Sequence, residues 1–242
     1  MLDVLSILIP FFLVSFLYST VGHGGASGYL AVMALLSIDV ALFRSTALGL
    51  NIIVSFIGAL AYFKAGHFSG KLFWPITLAA VPFAYIGGSL EMQASHFRII
   101  LGLALCLALI RLFQSENSNK KIKRALIWQI ILFGTFIGFI SGLIGVGGGI
   151  FLTPLVIFMR WGDTKTAAAI SSPFILINSV AGLLGLKPNL YDFHPFFALL
   201  ALVVLAGGLI GSVWGSHFAA SKQIRLLLAC VLSLAAFKLF YT

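Results

Sequence analysis

Two glycine-rich clusters, "VGHGGASG" at 21–28 and "IGVGGGI" at 144–150, hold the residues whose types and spacing most suggest chemistry. Glycine adopts the backbone angles that a chain break requires and lets a ligand approach the main chain. A helix that begins after such a break presents unpaired N–H groups and a partial positive charge. Two such helix starts facing each other can bind a small anion without lysine or arginine. The candidate substrate-binding residues in the clusters are Gly22, His23, Gly24, Gly25, Gly145, Gly147, Gly148 and Gly149.

Polar side chains on the apolar segment after each cluster are further candidates. Asn51, Ser55 and Gly58 are spaced i, i+4 and i+7, so they share one helix face. Ser171 and Asn178 are seven residues apart and also share a face. We expect Asn51, Ser171 and Asn178 to contact the substrate. The alternative role for these side chains is hydrogen bonding between helices, a modest contribution of about 0.6 kcal/mol per pair.

His23 is the one ionisable side chain inside a glycine cluster. Histidine titrates near neutral pH, so His23 is a candidate switch for a proton- or cation-coupled carrier of another small solute. A neutral histidine bonded to a loop carbonyl is the alternative. No carboxylate lies in the middle of an apolar segment, which argues against a carboxylate proton relay. The six carboxylates, all at segment ends or in loops, are Asp3, Asp39, Glu91, Glu116, Asp163 and Asp192.

The elements that must position these residues are membrane helices. Of the 242 residues, 61% are hydrophobic and only 9% are charged, with a mean hydropathy of +1.12. Apolar segments near the length of a bilayer crossing recur along the whole chain, and the alternating strands of a barrel are missing. These features predict an all-α polytopic membrane protein. Because the basic residues fall mostly between apolar segments, the net charge of +9 does not indicate nucleic-acid binding.

The chain repeats itself. The glycine clusters align with each other, so that Gly22, Gly24 and Gly25 fall on Gly145, Gly147 and Gly148, and "NIIVSFIGALA" then falls on "ILINSVAGLLG". We predict one transmembrane domain, 1–242, made of a first repeat, 1–114, a basic cytoplasmic linker, 115–124, and a second repeat, 125–242. In each repeat the segment after the cluster, 26–37 or 149–160, is too short to span a bilayer and is predicted to be a half-helix.

The distribution of basic residues indicates how the repeats are oriented. With an odd number of crossings in each repeat, the repeats are inverted, and eleven basic residues lie inside against four outside. With four crossings in each, the split is nine against six. The positive-inside rule therefore favours inverted repeats, with 8–10 membrane segments in total. Glycine-rich breaks at matching positions of inverted halves are typical of the binding site of a secondary transporter.

At these residues the chain resembles the TauE/SafE family of permeases, the sulfite exporters. The better match is "GLIGVGGGIFLTPLV" in the second repeat, and "VGHGGASG" resembles the family's first copy. The resemblance implies a permease of the bacterial or archaeal inner membrane that moves small sulfur-containing or carboxylate anions, such as sulfite, thiosulfate or sulfonates. The first repeat departs from the motif at His23, Ala26 and Ala31, which stand where the second has Val146, Gly149 and Pro154.

The leading hypothesis is thus a secondary transporter that holds an anion between paired glycine-loop helix ends. We expect no catalytic residue, no metal site and no cofactor, because no nucleophile–base pair or histidine–carboxylate cluster falls in the apolar segments. A membrane enzyme or a non-transporting membrane subunit is the least favoured alternative. The expected partners are the small anion and the lipid bilayer, with no nucleic acid and with a homo-oligomer as an open alternative.

Overall fold

The computed structural model describes residues 4–20, 22–64, 66–113, 122, 123, 125–217, 233 and 237. These residues form α-helices and two short 3-10 helices, Val40–Leu42 and Leu190–Asp192, with no strand among them. The α-helices are α1 (Val4–Ser19), α2 (Ala26–Leu35), α3 (Phe43–Lys64), α4 (Gly70–Ser89), α5 (Ala94–Phe113), α6 (Ile127–Ile144), α7 (Gly149–Phe158), α8 (Thr164–Leu186) and α9 (Phe197–His217). The prediction of an all-α protein is confirmed.

Five of these helices, α3, α4, α6, α8 and α9, are long and apolar enough to cross a membrane. The two predicted half-helices, α2 and α7, have ten residues each and are too short to do so. The described helices therefore agree with a polytopic membrane protein that has a break in each half. The last apolar segment of the second repeat and most of the linker lie outside the described residues. The inverted orientation of the repeats stays a prediction.

Helices α3 and α8 pack against each other at the centre, and the halves exchange helices around them. Helix α4 of the first half packs on α6 and α8 of the second, whereas α9 of the second half packs on α1 and α3 of the first. The sequence repeat relates these two sets of contacts to each other, because α4 corresponds to α9, α6 to α1 and α8 to α3. The fold is therefore built from mutual contacts between the halves and not from two separate bundles.

Glycines let the exchanged helices approach until their backbones touch. On α6, a β-carbon placed on Gly138 would overlap the carbonyl of Ala80 on α4, and one on Gly142 would overlap that of Ala84. On α9, a β-carbon on Gly211 would overlap the carbonyl of Phe16 on α1. Close approach through small residues is how membrane helices gain packing energy, because lipid supplies no hydrophobic driving force between them. Close helix packing is thus the role of Gly138, Gly142 and Gly211.

Arg44 joins three helices at one end of this core. Its guanidinium donates to the carbonyls of Gly88 at 2.7 Å, Leu90 at 2.9 Å and Gly87 at 3.1 Å at the end of α4, and to that of Gly142 on α6 at 3.2 Å. The last carbonyls of a helix have no partner within the helix, and a guanidinium can satisfy several of them at once. Arg44 therefore fastens the start of α3 to the ends of α4 and α6.

Candidate functional site

The first glycine loop, defined here as residues 22–25, is the tip of a helical hairpin. Helix α2 folds back against α1: the hydroxyl of Ser27 donates to that of Tyr18 at 3.1 Å, and the rings of Phe11 and Tyr29 stack with centroids 5.4 Å apart. Gly25 has φ +94°, a left-handed conformation that favours glycine, and it begins α2. The hairpin therefore presents the start of α2 at its tip.

The second glycine loop, defined here as residues 145–148, has the same construction. Gly145 ends α6 with φ +85°, and Gly148 begins α7 with φ +86°. A β-carbon on Gly148 would lie 3.0 Å from Ile137 and 3.3 Å from Ser141, so the start of α7 lies directly beside α6. The two loops thus share left-handed glycines at their first and last positions, whereas Gly147 has φ +68° and its counterpart Gly24 has no positive φ.

Both half-helices begin without a cap. Neither Gly25 nor Gly148 has a side chain to accept from the first turn, and within the described residues no side-chain hydrogen bond caps either helix. Among the hydrogen bonds of the described residues, the backbone N–H groups of Gly24, Gly25, Gly147 and Gly148 donate to no acceptor. All four glycines are buried. A buried helix start without partners is unusual in proteins and is one of the places where ligands supply the missing acceptors.

The two loops meet at Asn51, near the middle of α3. The side chain of Asn51 is fully buried, with its Oδ1 against Gly24 of the first loop and its Nδ2 against Gly147 of the second. Nδ2 also donates to Oγ of Ser179 on α8 at 2.9 Å. Ile175 on α8 flanks both loops. One amide therefore bridges the two glycine loops at the contact between the central helices.

His23 extends from the first loop towards the start of α7. Its side chain is 6% exposed, and its Cδ2 lies 3.8 Å from the position that a β-carbon on Gly149 would occupy. Its backbone N–H donates to the carbonyl of Tyr18 at 3.0 Å, and the two rings pack edge to face with centroids 6.5 Å apart. The one ionisable residue of the clusters is thus close to the helix start of the opposite half.

Comparison with known proteins agrees with this architecture. The sequence profile of the family described as "Sulfite exporter TauE/SafE" matches residues 7–239, nearly the whole chain. This chain belongs to the TauE/SafE family. Members of this family are membrane transporters, and the TauE/SafE protein described here is a multi-pass membrane transporter and not an enzyme.

Individual relatives of this TauE/SafE protein carry the same general description. A "probable membrane transporter protein" of Sinorhizobium fredii is 32% identical over 244 residues, which are 99% of both chains. Another of Methanocaldococcus jannaschii is 26% identical over 203 residues, 77% of this chain and 75% of the relative. A third, of Bacillus subtilis, is 24% identical over 257 residues, 97% and 98% of the two chains. No solved structure matches the chain significantly.

Two of the predicted glycines in this TauE/SafE protein shape the loops instead of facing the bridging amide. The N–H of Gly22 donates to the carbonyl of Ser19 at 3.1 Å, and its own carbonyl accepts from Oγ of Ser172 at 2.8 Å. The N–H of Gly145 donates to the carbonyl of Ser141 at 2.9 Å. Both glycines have positive φ, so their role in the turns follows from glycine's conformational freedom.

Ser171 and Asn178 do not join the bridge made by Asn51. The hydroxyl of Ser171 pairs with that of Thr153 on α7 at 2.7 Å, which is the hydrogen bond between helices that the sequence offered as the alternative. Nδ2 of Asn178 donates to the carbonyl of Phe174 in its own helix at 3.0 Å, and its Oδ1 is buried without a partner. Substrate contact by these two residues stays a prediction.

Ile175 and Ser179 are not among the predicted substrate-binding residues, yet both line the meeting point of the loops. The internal alignment could have indicated both residues, because it aligns Ile175 with Asn51 and Ser179 with Ser55. The position that is amide in one TauE/SafE repeat is therefore aliphatic in the other. Among the described residues, no group of three or more histidine, cysteine or carboxylate side chains could hold a metal ion.

Proposed function

We propose that this transporter moves small sulfur-containing or carboxylate anions, such as sulfite, thiosulfate or sulfonates, across the inner membrane of a bacterium or archaeon. The observation that carries the proposal is the pair of uncapped, buried helix starts at Gly25 and Gly148. Their unpaired N–H groups are hydrogen-bond donors that an oxyanion can satisfy. The anion lies between the two glycine loops, at the bridge made by Asn51.

The charge of the two helix starts suits a small anion. Each start carries roughly half a positive charge, so two starts together complement about one negative charge. The compensation comes from the backbone, and it therefore needs no lysine or arginine in the membrane, where such side chains are costly. A ligand held by dipoles also leaves more readily than one held by a fixed ion pair, which suits a carrier that must release its cargo.

Flux through the reconstituted protein tests this proposal. Purified protein in liposomes should carry labelled sulfite, thiosulfate or a small sulfonate down a gradient faster than empty liposomes do. An excess of a second anion from the same group should slow the flux, because the anions compete for one site. If none of these anions crosses and none competes, the proposed substrate class is wrong.

A second candidate function, proton or cation coupling through His23, is favoured by one observation. The buried imidazole lies beside the first residue of α7, where its charge would change the field at the proposed anion site. His23→Gln keeps a polar side chain of similar reach but does not titrate near neutral pH. In the variant, the dependence of anion flux on pH should flatten relative to the wild type. An unchanged pH profile would remove His23 from the coupling.

A further inference from the structure

The amide oxygen of Asn51 is a buried acceptor with no hydrogen-bond donor. The side chain is 0% exposed, and only its Nδ2 is paired, to Ser179. Oδ1 lies against Gly24, so close that any β-carbon there would displace it. A buried carbonyl oxygen without a donor is costly and uncommon, so a group bound at this point is expected to supply the donor.

The surroundings of this oxygen decide what kind of ligand suits it. The neighbouring backbone groups of Gly24, Gly25, Gly147 and Gly148 are unpaired donors, and the helix starts carry partial positive charge. That charge opposes a metal cation. The carboxylates that would balance a cation lie elsewhere in the described part of the chain, at helix ends and connections: Asp39, Glu91, Asp163 and Asp192. An anion that also donates a hydrogen bond would satisfy both the backbone donors and the amide acceptor.

We propose that the amide oxygen of Asn51 selects anions that carry their own hydroxyl, the hydrogen form of an oxyanion, over anions that only accept. This inference rests on the proposed function, since it concerns the same site. The backbone N–H groups bind the charged oxygens, and Oδ1 of Asn51 accepts from the hydroxyl. Sulfurous acid loses its second proton near neutral pH, so the bound species is the singly charged hydrogen sulfite. Of the proposed substrates, thiosulfate and sulfonates carry no hydroxyl at that pH and bind less tightly than hydrogen sulfite.

A second buried acceptor without a donor lies on the other central helix, α8. Oδ1 of Asn178 is buried without a partner. Asn178 is four residues after Phe174 and shares its helix face, and the Phe174 ring lies 2.9 Å from where a β-carbon on Gly148 would stand. Helix α8 thus also carries a buried amide acceptor without a partner, one turn from a residue that contacts the second loop.

Two nearly isosteric planar anions, nitrate and hydrogen carbonate, provide the test. Both carry one negative charge at mildly alkaline pH, but only hydrogen carbonate has a hydroxyl. We expect a thermal-shift titration of the purified protein to give about tenfold tighter binding of hydrogen carbonate, the factor that one hydrogen bond supplies. Asn51→Leu has no acceptor at this position, so it should bind the two anions about equally. Asn51→Ala is the second variant, for use if the larger side chain prevents insertion.

The outcomes separate this inference from the function on which it rests. Equal binding of the two anions by the wild type, or a preference that survives in the Asn51 variants, overturns the role of the amide oxygen and leaves anion transport intact. No stabilisation by nitrate, hydrogen carbonate or sulfite overturns the anion site itself. Stabilisation by sodium salts that is the same for every counter-anion and is lost in the Asn51 variants identifies the oxygen as a cation ligand and also overturns the inference.

Discussion

Gly24→Ala should lower anion flux by about tenfold to a hundredfold while the protein still inserts and folds. Gly24 does not have the left-handed φ of its neighbour Gly25, so alanine adds no backbone strain. Its β-carbon would, however, overlap Oδ1 of Asn51 and lie 3.0 Å from Ile175. Overpacking by one methyl group costs about 1–3 kcal/mol. Here it displaces the amide that bridges the two loops, so we expect flux to fall by about tenfold to a hundredfold.

The matched control for this variant is Gly182→Ala on α8. A β-carbon on Gly182 would lie 3.5 Å from its nearest neighbours, an ordinary contact. Gly182→Ala should therefore transport at the wild-type rate in the same liposomes. Transport by Gly24→Ala at the rate of Gly182→Ala would show that the meeting point of the loops is not on the path of the anion.

Gly138→Ala should produce a large loss of stability by forcing α4 and α6 apart. The added β-carbon would overlap the carbonyl of Ala80 and lie 2.7 Å from its Cα. Backbone cannot change rotamer, so the two helices must separate along their length. We expect a loss of about 2–3 kcal/mol in the free energy of unfolding, in the upper part of the range for overpacked sites.

Thermal denaturation of the detergent-solubilised protein measures this effect. The fraction of protein that stays monodisperse is recorded as the temperature rises. Gly182→Ala serves again as the control, because both variants make the same chemical change inside a membrane helix. The apparent midpoint of Gly138→Ala should lie clearly below that of Gly182→Ala, which should match the wild type. Equal midpoints would mean that α4 and α6 are free to move apart at little cost.

The sequence predicted the parts of the site that depend on local chemistry. The glycine clusters as chain breaks, the half-helices after them and the helix face that carries Asn51 all follow from conformational freedom, segment length and helix periodicity. Periodicity assigns a residue to a face but does not say which neighbour covers that face. Periodicity could not predict that Ser171 pairs with Thr153 on α7 or that Asn51 on α3 contacts both loops.

Arg44 shows a second limit of the sequence. As a single basic residue near a segment end it contributes only to the count of charges on each side of the membrane. Its hydrogen bonds to the ends of α4 and α6 join residues more than forty and almost a hundred positions away. Such a contact depends on how whole helices are arranged, which neither spacing nor composition specifies.

The exchange of α4 and α9 between the halves has a consequence for how the chain is made. The ribosome releases α1 long before α9, which begins at Phe197, yet these two helices pack against each other in the finished protein. Helix α1 therefore stays without this one of its native neighbours in the bilayer while most of the polypeptide is still being synthesised. The first half cannot complete its own tertiary structure during translation, and final assembly waits for the last helices to be inserted.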